Sequence, residues 1–244
     1  MTHQTKAIIL QTVKYGETSL VVTALTCRFG LQTYLINGVR TQKKGGTKAG
    51  MFQPAAVLDM VVYHQDQKNL QRVKEASWAI LFHHLFSDVI KNNIALFMIE
   101  LLHKSIRQPE ENTHLFDFTE DALLHLDTAE PAGAANFPLF FSLHLTHFLG
   151  FRPQSNPNLT PPFYLDLSEG TFIKEPPPHS HFLDTSMAET ISELLKMQHP
   201  GELVQLPLNK QVRRTLLHAM EEYYTLHIPG FKKLRTLQVL NEVL

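Results

Sequence analysis

Cysteine is almost absent: Cys27 is the one thiol in 244 residues. That excludes an intramolecular disulfide and a cysteine-ligated zinc cluster, and it suits a reducing compartment. No apolar run reaches bilayer-spanning length, and the opening MTHQTKAIIL has too short an apolar core for a secretion signal. There is no G-x-S-x-G elbow, no G-x-x-x-x-G-K phosphate loop and no HExxH pair. The carboxylates are scattered, so nothing argues for hydrolysis or nucleotide turnover. An enzyme acting on nucleic acid would need clustered carboxylates and a divalent metal.

Histidine is plentiful, at fourteen. His144 and His147 lie one helical turn apart, and His179 and His181 follow later. Zinc usually takes three or four ligands. These pairs are therefore read as polar niches, with no metal and no cofactor expected.

The net charge of −1 hides a segregation. Residues 1–75 hold ten basic and four acidic side chains, residues 76–209 six and sixteen, and residues 210–235 six and two. Two basic ends flank an acidic middle. That pattern suits one polyanion-facing surface and a separate surface for another partner.

Period-two patterning gives five strands: 5–13, 18–26, 31–37, Gln53–His64 and 69–75. Leu58, Met60 and Val62 share one face of the fourth, and Arg72 and Lys74 share one face of the fifth. Five short strands suit a small closed barrel, which leaves no exposed edge. From Ser77 the period changes. Residues 78–86 read as helical. Asp88 caps a helix with Ile94, Phe97, Met98, Leu101 and Leu102 on one face, ended by Pro109. Asn112 opens another helix, and 129–135 reads as a linker. Residues 137–149 are apolar nearly all round, marking a buried central helix that stops at Gly150. Phe163–Leu167 and Thr171–Ile173 form a hairpin packed by Phe163, Tyr164, Phe172 and Ile173. Helices then start at Asp184 or Thr185 and at Asn209, and a last one covers 231–243.

Three stretches carry a family resemblance. The first is YGETS, a strand, T-x-x-x-G, a strand ending in NGVR, and a Gly/Lys loop ending in FQP. The second is a helix ending in LGF-x-P. The third is a helix, a turn and a basic helix with a leucine-rich tail. Together they resemble the bacterial RecO repair and recombination proteins. The resemblance implies an α+β protein: an OB-fold barrel over residues 1–76, then a mainly helical domain over 77–244. Many relatives carry a cysteine-ligated zinc module after LGF-x-P; here a hairpin at about 160–175 stands in its place.

It also implies a non-enzymatic, cytoplasmic and nucleoid-associated DNA-binding mediator. Such a protein binds single- and double-stranded DNA, anneals complementary strands, and helps RecA onto strands coated by single-strand-binding protein. RecR and the acidic, Phe-ended tail of single-strand-binding protein are the implied protein partners.

The candidate phosphate contacts are Lys6, Lys14, Arg28, Arg40, Lys43, Lys44, Lys48, Arg72 and Lys74. A second basic set is Lys210, Arg213, Arg214, Lys232, Lys233 and Arg235. Six phosphate contacts to single strands would give a log–log salt slope of about −4. Solvated surface lysines are the plain alternative. Tyr15, Tyr34, Phe52 and Tyr63 are the candidate stacking rings, with Tyr34 favoured because Gln32 and Thr33 beside it are polar. For the tail, relatives use basic residues just before the central helix. Ala135 and Asn136 stand there, so Lys104, Arg107 and Arg152 are the substitutes expected. A protein-interaction adaptor with an OB barrel, working through its acidic middle, is the alternative reading.

Overall fold

Alternation builds five strands: β1 (Thr2–Tyr15), β2 (Ser19–Thr26), β3 (Gly30–Ile36), β4 (Val57–Tyr63) and β5 (Gln71–Trp78). Leu20, Val22 and Ala24 of β2 point inward, as do Tyr34 and Ile36 of β3 and Leu58, Met60 and Val62 of β4. This is the period-two face expected of a half-buried strand. The computed structural model describes residues 1–39, 49–106, 110–154 and 159–244.

The strands close in the order β1-β2-β3-β5-β4, antiparallel except for the β3–β5 pair. Partners followed once round, from Val13 through Val21, Leu35, Arg72 and Tyr63, return to β1 at Thr2. That displacement is the stagger a tilted, closed barrel requires. Five strands in this Greek-key order make an OB fold.

Six helices follow: α1 (Val89–Ser105), α2 (Thr113–Thr128), α3 (Pro131–Phe148), α4 (Thr185–Lys196), α5 (Lys210–His227) and α6 (Arg235–Val243). A small sheet joins β6 (Tyr164–Asp166), β7 (Thr171–Ile173) and β8 (Phe182–Leu183) in the order β7-β6-β8. Two units result: Met1–Phe86 with Ile106–Leu124, and Ser87–Ser105 with His125–Leu244.

The helix starts follow local chemistry. Asp88, Asn112, Asp184 and Asn209 each accept a first-turn N–H, at 2.8 to 3.0 Å. Gly150 ends α3 in the left-handed region (φ +83), and Phe151 N–H reaches back to Thr146 O.

Two sequence expectations are corrected. Residues 79–88 form no helix: Trp78 pairs with Leu58, and the N–H groups of Ala79 and Ile80 both turn to Val57 O. The apolar run there lacks a helical period. Residues 131–135 are not a linker but the first turns of α3, since Pro131 sits where its fixed φ favours a helix start.

Three structural anchors hold the second unit. α3 is buried all round, with Leu139, Phe141, Leu143 and Leu145 each 0% exposed. The hairpin is packed by Phe163 against Phe172 and Tyr164 against Phe182. At its turn, a Cβ on Gly170 would stand 2.5 Å from the Tyr223 hydroxyl, which itself donates to Phe151 O.

The third anchor caps α6, which begins later than the sequence pattern indicated and has no local side-chain cap. Glu100 of α1 supplies it, accepting from Arg235 N–H, Thr236 N–H and the Thr236 hydroxyl while pairing with Lys104 at 2.7 Å. Burial alone would raise this carboxyl. The Lys104 ammonium, the hydroxyl and the two backbone donors outweigh it and hold it at about 2.

A group so depressed stabilises the fold above its unfolded value near 4.5 and loses that contribution as pH falls toward 2. Glu100→Gln should cost about 1–2 kcal/mol at neutral pH, allowing for solvent screening. Urea melts of the two proteins should converge between those pH values.

Candidate nucleic-acid interface

Parity decides which side chains leave the barrel. On the outer rows stand Gln11, Val13 and Tyr15 of β1, paired with Thr23, Val21 and Ser19 of β2. Val21 and Thr23 pair in turn with Leu35 and Thr33 of β3. Leu35 pairs with Arg72, and Arg72 with Tyr63. The outer β2–β3 surface is thus flanked by the β1–β2 turn on one side and the β4–β5 turn on the other. OB folds bind oligonucleotides with this strand face and these two loops. Tyr15 is 59% exposed and Tyr63 45%, so each flank carries a free aromatic ring.

Tyr34 is corrected by the same rule. It is 0% exposed, and burial pushes its phenol above the ordinary range. Its polar neighbours lie on the outer row because Tyr34 lies on the inner one. Phe52 is buried as well.

The basic residues separate by environment. Lys14 and Arg72 are exposed on the flanks just described. Lys68, which the sequence reading passed over, lines a cavity of about 510 Å³ with Tyr63, Leu70 and Arg72. Its signal was its place in the polar turn Asp66–Asn69. Lys74 is exposed but 3.3 Å from Glu75.

Lys6 faces elsewhere. It pairs with Glu120 of α2 at 2.9 Å, and the hydrogen bond to that carboxylate raises its pKa. Arg28 lies in the β2–β3 turn with its guanidinium 5.5 Å from the Phe29 ring, and that ring stacks on His64 at 3.9 Å. Cys27 beside it is raised by burial and by the carboxylates Asp117 and Glu111. Acid from the α2 region therefore offsets the cations on this side of the barrel. Arg40, Lys43, Lys44 and Lys48 lie outside the described residues, as does Arg107.

In the second unit, Lys210, Arg214, Lys232, Lys233 and Arg235 are exposed. Arg213 is corrected: it is 9% exposed and donates to Asn136 Oδ1 and Leu208 O. Asn136 also donates to Leu206 O, so both side chains are tied up inside. Lys104 is engaged by Glu100 and by Lys233 O. Arg152 donates to Leu195 O and lines a cavity of about 960 Å³ with Phe163, Phe172, Leu195 and Glu193.

The histidines take separate partners. His144 donates to Leu194 O, and burial holds it at about 4. His179 meets Asp166 and His181 meets Glu222. Among the described residues no group of three metal-ligating side chains forms, and no helix is long and apolar enough to cross a membrane.

Barrel and helical region together define an OB-barrel protein with an α-helical carboxyl-terminal part. The family model described as recombination protein O N terminal matches residues 1–82, and that described as recombination protein O C terminal matches residues 87–236. Proteins named DNA repair protein RecO are similar over nearly the full length. That of Flavobacterium psychrophilum is 36% identical, with 98% of each chain covered. That of Bacteroides fragilis is 33% identical, over 100% of this chain and 99% of its own. That of Azobacteroides pseudotrichonymphae is 30% identical, also over 100% and 99%. The chain belongs to the recombination protein O family.

The partition of the cations yields a contrast. Arg72→Ala should weaken binding of a labelled oligonucleotide threefold or more and flatten the salt slope by about 0.7. Lys6→Ala, whose charge Glu120 already engages, should stay within twofold of the parent. Fluorescence anisotropy across salt checks both.

Proposed function

We propose that this protein is a non-catalytic DNA-binding mediator of recombinational DNA repair. Its relatives are named for DNA repair, and the flanked outer face of the barrel is the observation that carries the reading. Tyr15 and Tyr63 are free to stack on bases, while Lys14, Lys68 and Arg72 stand where phosphates would pass. Lys43, Lys44 and Lys48 belong to the same proposal through their place in the sequence after β3.

Annealing of complementary strands follows from this chemistry. Cations screen the repulsion between two phosphate backbones while the bases remain free to pair. Such annealing needs no ATP and weakens with salt. Assistance to RecA on strands coated by single-strand-binding protein, and partnership with RecR, complete the reading; both rest on the family.

For the acidic, Phe-ended tail, Arg152 is the candidate that the geometry favours over Lys104. Its cavity has the apolar walls a phenyl ring needs, although Glu189 and Glu193 on the lining oppose an acidic ligand. The aromatic hairpin beside it is read as the local staple that a metal provides in many relatives.

Anisotropy and annealing assays without nucleotide test the proposal. The expected result is tight binding with a salt slope of about −4, and annealing that falls in parallel. Reversing Lys43, Lys44 and Lys48 to glutamate should abolish both. Salt-independent binding, or no binding at low salt, would transfer the argument to the protein-interaction adaptor.

A further inference from the structure

The β4–β5 turn is held more firmly than a plain connection requires. Gln71 opens β5, is 2% exposed, and spends its amide on the turn before it. Its Nε2 donates to the carbonyls of Gln65 at 2.8 Å and Lys68 at 2.6 Å, and its Oε1 accepts from Gln65 N–H at 3.0 Å. These bonds fix Gln65–Lys68 as a rigid step beside the sheet.

The cavity of about 510 Å³ lies against that step, lined by Tyr63, Gln65, Lys68, Leu70, Gln71 and Arg72. Its volume is within the range of about 300–1,000 Å³ common for small-ligand sites. Tyr63 and Leu70, 45% and 44% exposed, supply apolar surface that nothing in the unit covers completely. Lys68 and Arg72 enter no ion pair among the described residues, whereas the one carboxylate of the turn, Asp66, is 3.2 Å from His64 Nε2. An aromatic face, an apolar wall and two unopposed cations on a fixed frame match a nucleotide: a flat base with phosphate on either side.

We propose that this cavity holds one unpaired nucleotide of a DNA strand, its base against Tyr63 and Leu70 and its phosphates against Lys68 and Arg72. The inference rests on the DNA-binding reading above and adds the class of strand: one with free bases. Every base has a π-face, so the contact tolerates any sequence. A base within a duplex is already stacked and paired, and entering the cavity would require flipping it out at an energetic cost. Duplex phosphates can still meet Arg72 from outside. Gln71 is a positioning residue that holds the step and touches no base.

The test compares a single-stranded oligonucleotide with its duplex, by anisotropy on the full chain. Tyr63→Ala should weaken single-strand binding about fivefold or more and leave duplex binding within twofold. Tyr63→Phe, which keeps the ring, should restore the parent value. Lys68→Ala should flatten the single-strand salt slope by about 0.7. Both side chains lie on the outside, and melting curves verify that the variants fold. Equal losses on single strand and duplex, or no loss on either, would overturn the inference while leaving DNA binding intact. Parent protein that binds neither form would overturn the DNA-binding reading and this inference with it.

Discussion

Two pairs of residues close the barrel: Tyr34 with Gln71 and Leu35 with Arg72, the parallel contact between β3 and β5. The rest of this unit depends on that closure. A slip of one residue would exchange the inner and outer rows along the strand, bringing Tyr34 out and Leu35 in. The pairing is held from both sides. Tyr34 fills the core, and the buried Gln71 amide is committed to the turn before it. The same contact sets Arg72 beside Leu35 and Tyr63, so the fold's closure and its exposed chemistry come from one piece of register.

Charge is then sorted by neighbours more than by number. Lys14, Lys68 and Arg72 face solvent on the flanks of the β2–β3 surface, while Lys6 is matched by Glu120. In the second unit the sorting is stricter. Glu100 and Lys104 become the cap that α6 lacks locally, and Arg213 becomes an internal hydrogen-bond donor. The sum of basic residues in a segment therefore overstates what a polyanion meets. Long-range ion pairs and caps consume part of it.

This explains what the sequence could and could not reveal. Strand parity and the Asp and Asn caps are local, and they made the barrel, most helix starts and the hairpin legible. Local parity would also have placed Tyr34 inside, had it been given more weight than the polarity of Gln32 and Thr33. The partners of Lys6, Lys104 and Arg213 are remote in the chain, so no spacing rule could expose them. β8 is two residues long and pairs only through tertiary contact. Residues 79–88 misled because an apolar run without a period carries no information on its conformation.

Hydrogen exchange of the full chain, with and without a saturating single-stranded oligonucleotide, tests most directly whether DNA sits on the barrel. The account predicts new protection in residues 11–23 and 63–72, the two flanks and the strand between them. Protection confined to residues 125–244, with none in the barrel, would contradict it.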